Sequence, residues 1–420
     1  MKHNLNKYKK RMLVLSLMLV FVIMISGVSH ALFTSTESQV EEDFIAVLID
    51  GKESSTFPTT SNYAASVTCT RNGKTIDANP SLTWDGSKWK LSVEVTTGNV
   101  RCNTKFIQPK PLYQTILADN EVKNPITAPG SAISASNEAL LASTEDDYGT
   151  SYYFRGAVTN NYVEFANKCW RIVRIGGDNT VKLILHNDNT SNASNPCSSA
   201  NNSDTAAFAH YDGLTYTSAF NSSRNDNAYV GFMYGTPGSS TYEATHANTN
   251  KSTILTNLET WYNNNLKTYE SVIDDNVFCN DKNVSGSGLG YGTNATTYMS
   301  YERLSTNKSP SLKCNGVLSK ITSKIGLITA DELVYAGHAV SISGSTSYLQ
   351  ENATGTSWWT LSPDYLGSTI ARGWSVNGSS GYLIGSFVNN SLGVRSYISH
   401  KSSPNVTGDG TSKNPYKIFS

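Results

Sequence analysis

Six cysteines fall along the chain in three neighbouring couples: Cys69 and Cys102, Cys169 and Cys197, Cys279 and Cys314. Thiols pair where the compartment oxidises them, and an even count leaves none over. Six cysteines allow 15 pairings. Proximity favours the three nearest-neighbour pairs, each closing a loop of about 30 residues and stabilising the fold by roughly 3–4 kcal/mol on the chain-entropy model. A metal centre is the weaker reading of these residues. There is no C-x-x-C, no H-E-x-x-H and no closely spaced pair among the seven histidines.

The first 31 residues agree with an oxidising destination. Lys2, Lys7, Lys9, Lys10 and Arg11 precede an apolar run from Met12 to Val28, broken by Ser16, Ser26 and Gly27, and Ser29-His30-Ala31 has the small residues of a cleavage site. Residues 1–31 read either as a signal peptide cleaved after Ala31 or as a retained membrane anchor, since the apolar run is just long enough to span a bilayer. Both readings put the bulk of the chain outside the cytoplasm, secreted or tethered to the outer face of the membrane, with membrane contact only through the N-terminal segment. Five of the 33 basic residues lie in this leader, so 28 basic face 33 acidic residues in the rest, a balance that does not attract nucleic acid.

With 16% charged and 38% hydrophobic residues among 420, the chain is too apolar for disorder and too sparsely charged for a coiled coil. Its Asn, Ser, Thr, Gly and Tyr content predicts a loop-rich, mainly β protein with a few helices, an α+β class. From Phe44 to Phe106 short strands alternate with turns. Trp84 and Trp89 flank the Asp85-Gly86 hairpin signal, and Leu91, Val93 and Val95 alternate with polar residues. Residues 32–108 therefore read as a small β-sandwich-like domain stapled by Cys69 and Cys102. Residues 109–150, with Pro109, Pro111, Pro125 and Pro129, read as a linker in which a short helix can form around Asn137 to Ala142.

Residues 151–420 form the larger domain. Arg171, Arg174 and Lys182 alternate with apolar residues, which predicts a sheet with one solvated and one packed face. Residues 187–250 have no clear period and read as long loops, functional, mobile or concealing further elements. Ser252 or Thr253 caps a helix in which Ile254, Leu255, Leu258, Trp261, Tyr262 and Leu266 recur at helical spacing. A strand is expected over Ile325 to Ile328. Thr329 and Glu332 then form a capping box that opens a second helix, which Gly337 ends.

Three C-terminal stretches together resemble the C-type-lectin-like fold of the formylglycine-generating enzyme and diversity-generating-retroelement variable-protein superfamily. Thr329-Ala330-Asp331-Glu332 through Tyr335-Ala336 resembles its helix motif. Ala371-Arg372-Gly373-Trp374-Ser375 is similar to its R-G-G-S-W strand, and Leu392-Gly393-Val394-Arg395 to its closing G-F-R strand. The region from Tyr152 onward also resembles a group of secreted bacterial surface proteins. The resemblance implies a fold rather than a reaction. The enzymes of that superfamily carry a catalytic cysteine pair beside the R-G-G-S-W strand, and here no cysteine follows Cys314.

Among residues that carry chemistry, Trp358 and Trp359 read as core because strand alternation buries at least one of them. Arg372 and Arg395 read as structural hydrogen bonders. Asp409-Gly410-Thr411 with Asn414 reads as a turn before a calcium site, since it holds one carboxylate, so no cofactor is expected beyond a weak calcium possibility. The glycines around Gly286 to Gly292 lack the strand-then-helix setting of a phosphate loop, and no hydrolase signature selects a serine, a histidine and an acid. Tyr365, Trp374, Asn377, Tyr382 and Phe387 sit among Ser, Asn and Gly, the composition of adaptable binding surfaces, and are the candidate ligand-binding residues. The chain thus reads as a non-catalytic, adhesin-like binding protein of the cell exterior whose ligand is a carbohydrate or a protein. The alternative is a structural cell-envelope or surface-layer component without a specific ligand.

Overall fold

The computed structural model describes residues 45–418 apart from 77–79, 95–99, 134–137, 287, 344–345 and 368. The leader and Val95 therefore lie outside the described residues. Strands hold 36% of the chain and helices 15%, a mainly β α+β protein. The three disulfides are Cys69–Cys102, Cys169–Cys197 and Cys279–Cys314, the nearest-neighbour pairing. No described helix is long and apolar enough to cross a membrane.

The chain divides into two compact units, up to Pro109 and from Lys110 on. In the first, Val100–Ile107 is the central strand of a five-stranded sheet, parallel to Ile45–Ile49 and antiparallel to Ala64–Arg71. It alternates strictly. Val100, Cys102, Thr104 and Phe106 are buried while the residues between them are exposed, as a two-residue period on a one-sided sheet requires. Cys69 and Cys102 are directly opposite in this register, so their disulfide lies across the sheet. The hairpin Ser81–Trp84/Trp89–Ser92 adds Trp89, whose ring centroid lies 5.3 Å from that of Phe106.

The second unit is built on two sheets around one core. Along the first sheet run Tyr397–His400, Val181–Asn187, Lys168–Ile175, Tyr162–Phe165, Tyr416–Ile418, Asn405–Thr407 and Lys110–Pro111, with Gly149–Gly156 and Ala139–Asp146 branching from Lys168–Ile175. The second sheet centres on Trp358–Gly367, which pairs Thr296–Tyr298 and Ile370–Val376, and Leu383–Phe387 extends it. Helix Thr253–Asn265 is capped by Ser252 and buries Ile254, Leu255, Leu258, Trp261 and Tyr262.

Several expectations are corrected. The stretch read as a linker belongs to the second unit: Leu112 and Ile116 of helix Leu112–Asp119 are fully buried in its core. Residues 139–146 form a strand rather than a helix, because eight residues pair in register with Gly149–Gly156. Ile325 to Ile328 is not a strand and contributes only a bridge between Gly326 and Tyr397. The alternating charges of Lys168–Ile175 and Val181–Asn187 do not mark a solvated face. Arg171 and Lys182 are buried, and Arg171 reaches Glu351 at 3.0 Å.

The capping box of Ala330–Tyr335 is formed, Thr329 Oγ1 accepting from the Glu332 amide and Glu332 Oε2 accepting from the Thr329 amide. Glu332 is 4% exposed and carries more than the cap. Its Oε1 accepts from Arg174 Nε at 2.8 Å and from the Tyr397 hydroxyl at 2.8 Å. Arg174 also donates to Asp146 at 2.9 Å. At the other helix end, Arg155 Nη1 donates to the carbonyls of Val334, which also accepts from the Gly337 amide, and of Tyr335. Its Nε pairs with buried Glu138 at 2.8 Å.

Burial raises the Glu332 carboxyl, but Arg174 and the donors of Thr329 and Tyr397 outweigh it and hold the group below its ordinary range. A depressed carboxyl stabilises the fold above its unfolded value of about 4.3 and loses that contribution as pH falls. Glu332→Ala is expected to cost about 3–5 kcal/mol at pH 7, because it takes a buried carboxylate from the largely covered Arg174 guanidinium and from the buried Tyr397 hydroxyl. Urea unfolding at pH 7 and pH 3.5 checks this, with a smaller penalty at the lower pH.

Candidate functional site

The strand Ile370–Val376 lies between Trp358–Gly367 and Leu383–Phe387, with Arg372 opposite Phe387 and Trp374 opposite Gly385. Two-residue alternation puts Arg372 and Trp374 on one face. The Arg372 guanidinium stacks between two rings, 4.8 Å from the Tyr365 centroid and 4.6 Å from that of Phe387. Arg224 stands 5.5 Å over Phe387. Tyr301 stacks on Trp374 at 6.2 Å and meets Tyr365 edge-on at 6.3 Å. Tyr365, Phe387 and Arg372 are half-buried, while Tyr301 and Ile384 are exposed. The result is a row of rings and guanidinium groups that crosses three adjacent strands.

Beneath this row lie polar atoms without partners. Asp364 Oδ1, Arg372 Nε and Trp374 Nε1 are buried and make no hydrogen bond. Gly385 makes room for Asp364. A Cβ built on it falls 1.9 Å from Asp364 Oδ2 and 3.7 Å from Arg372 Cδ. Burial pushes the Asp364 carboxyl up to about 7, against the opposing pull of Arg372. A carboxyl oxygen, a guanidinium N–H and an indole N–H on two neighbouring strands are thus left unpaired, and an unsatisfied buried group costs about 1–3 kcal/mol.

The structure sorts the residues expected from sequence. Tyr365 and Phe387 are brought together through Arg372. Trp374 is 2% exposed and packs in the main core under Tyr301, which overturns the expectation of an accessible contact there. Asn377 spends its side chain on its own turn, Oδ1 accepting from the Ser380 amide at 3.1 Å and from the Ser379 hydroxyl at 3.0 Å. Tyr382 is half-buried at the far end of that hairpin, where its carbonyl accepts from the Asn377 amide. Tyr301, Arg224 and Asp364 went unread in the sequence, since nothing local links residues 224, 301 and 364. Arg372, read as structural, forms the centre of the row instead. Arg395 fits its structural reading, donating to the carbonyls of Leu185 and Leu349. Trp358 and Trp359 are fully buried.

Among the described residues there is no group of three or more His, Cys, Asp or Glu suited to hold a metal ion. Asp409 accepts from the Thr411 amide at 3.0 Å and from its hydroxyl at 2.8 Å, so its carboxylate is engaged in the turn.

The buried Asp364 sets a pH test. A carboxyl raised in the fold stabilises it fully below its unfolded value near 3.9 and loses that contribution as pH climbs to about 7. Asp364→Asn removes the ionisation and keeps the shape. Its stability relative to the unaltered chain is expected to rise by about 2–4 kcal/mol between pH 4 and pH 8, up to about 1.4 kcal/mol per pH unit. Denaturant unfolding across that range checks it, and a flat difference would place the carboxyl in water.

Set against family models, curated proteins and solved structures, the chain matches none, so its site is read from its own geometry.

Proposed function

We propose that the chain is a non-catalytic binding protein of the cell exterior, and that its ligand docks on the row of rings formed by Tyr301, Tyr365 and Phe387. The observation that carries this reading is the Arg372 guanidinium clamped between Tyr365 and Phe387 beside the unpartnered carboxyl of Asp364. Flat rings offer apolar area at low conformational cost, and a neighbouring carboxyl and guanidinium accept and donate to hydroxyls. That combination favours a saccharide. Arg372, half-buried between the rings, is the polar group within reach of a ligand lying on them.

Exterior placement is the companion proposal. It is supported by the basic-then-apolar leader in the sequence and by three disulfides with no free cysteine among the described residues. An aromatic row can also pack against copies of the same chain, which is how a surface-layer component without a ligand would use it.

Screening the protein on a glycan array, followed by titration of the best saccharide, separates the two. Tyr365→Ala and Phe387→Ala are expected to weaken the saccharide roughly thirtyfold, about 2 kcal/mol, with Tm within a few degrees of the parent. Trp374→Ala is expected to lower stability by about 3–5 kcal/mol instead. No saccharide binding, together with self-association that Phe387→Ala abolishes, would transfer the row to the envelope-building role.

A further inference from the structure

The second unit contains another cleft, open to solvent and lined in part by Asp178, Lys182, Phe278, Thr329, Glu332 and Tyr397. Its other cations are paired or exposed. Arg174 holds Glu332 and Asp146, and Arg303 holds Asp281 and Asp331. Lys313, at the rim, is exposed. Lys182 differs. It is 3% exposed, yet among the described residues its Nζ makes no hydrogen bond and no ion pair, and it stands over the Phe278 ring, 5.5 Å from the centroid. Asp178, the nearby carboxylate on the preceding turn, is engaged by the Thr180 amide and hydroxyl at 3.0 and 2.7 Å.

A buried ammonium that makes no hydrogen bond or ion pair is costly, and the usual resolution is loss of its proton. We propose that Lys182 is a carbonyl-capturing amine, and that the cleft admits a small aldehyde which condenses with its Nζ. The nitrogen lone pair attacks the carbonyl carbon and forms the C–N bond while the C=O π pair moves to oxygen. The proton lost by nitrogen goes to that oxygen, giving a carbinolamine, and departure of one water leaves the C=N bond. Amine and aldehyde yield imine and water, with no oxidant or reductant.

The electrostatics agree with the geometry. Burial first and the Arg174 cation second lower the amine, to about 7, although Glu332, Asp178 and Asp274 pull the other way. Desolvation by burial and a neighbouring cation are the two devices that make a lysine nucleophilic near neutral pH. An exposed lysine, near 10.4, has almost no neutral amine there.

The test uses propanal with cyanoborohydride, which reduces the imine to a stable secondary amine, followed by peptide mapping of the full chain. At pH 7 Lys182 is expected to be alkylated about tenfold faster than any exposed lysine, the chain's α-amino group aside, because its larger neutral fraction outweighs its narrower access. Its rate should level off above pH 7, while the exposed lysines keep gaining up to pH 10. Lys182→Met, a buried replacement of similar length, should lose the fast site and keep its Tm within a few degrees. Lys182 unmodified under conditions that alkylate the exposed lysines, or modified no faster than they are, would overturn the proposal, and that mapping needs no variant.

Discussion

The carboxylate of Glu332 is the point on which the second unit turns. It closes the capping box with Thr329, accepts the Arg174 guanidinium and takes the Tyr397 hydroxyl. One buried group thereby joins the helix Ala330–Tyr335 to the strands Lys168–Ile175 and Tyr397–His400, and through Arg174 to Asp146. A helix of six residues has little stability of its own, because nucleation consumes most of what so few hydrogen bonds return. Its persistence here follows from ion pairs at its first turn and from Arg155 on its last carbonyls. Neither end is left to water.

The same arrangement explains why charge inside this unit is tolerated. Arg155, Arg171 and Arg174 each find a carboxylate from a distant part of the chain or one at a bend of the sheet. Lys282, also buried, donates to the carbonyls of Met233 and His246, which fastens the long Asn- and Ser-rich stretch to the core. Against that background stand Lys182, whose Nζ makes no hydrogen bond or ion pair among the described residues, and Asp364, whose Oδ1 has no hydrogen-bond partner. Satisfied networks hold the fold, and the proposed saccharide and aldehyde contacts are assigned to places where such a network is incomplete.

What was legible in the sequence was local. The cysteine couples, the hairpin at Asp85-Gly86, the Ser252 cap and the Thr329/Glu332 box each depend on residues close enough in the chain to be read together. What was not legible depends on partners far away. Arg171 looked solvated because its partner Glu351 stands 180 residues on, and Arg174 because Glu332 stands 158 residues on. Trp374 looked accessible because the ring that covers it, Tyr301, comes from another loop altogether. The proline-rich stretch looked like a linker because prolines mark turns equally well inside a domain, and only the burial of Leu112 and Ile116 tells the two apart.

The position of Lys110–Pro111 has a mechanical consequence. This two-residue strand pairs only with Asn405 and Val406, close to the far end of the chain. Unravelling of the second unit that begins at Lys110 has this two-residue ladder to break first. Unravelling would then reach Cys169–Cys197 and Cys279–Cys314, covalent loops of 28 and 35 residues that cannot extend. At about 3.3–3.6 Å per residue they withhold roughly 210–225 Å of length. Pulled from that end, the protein gives way early at its edge and stops short of its full reach.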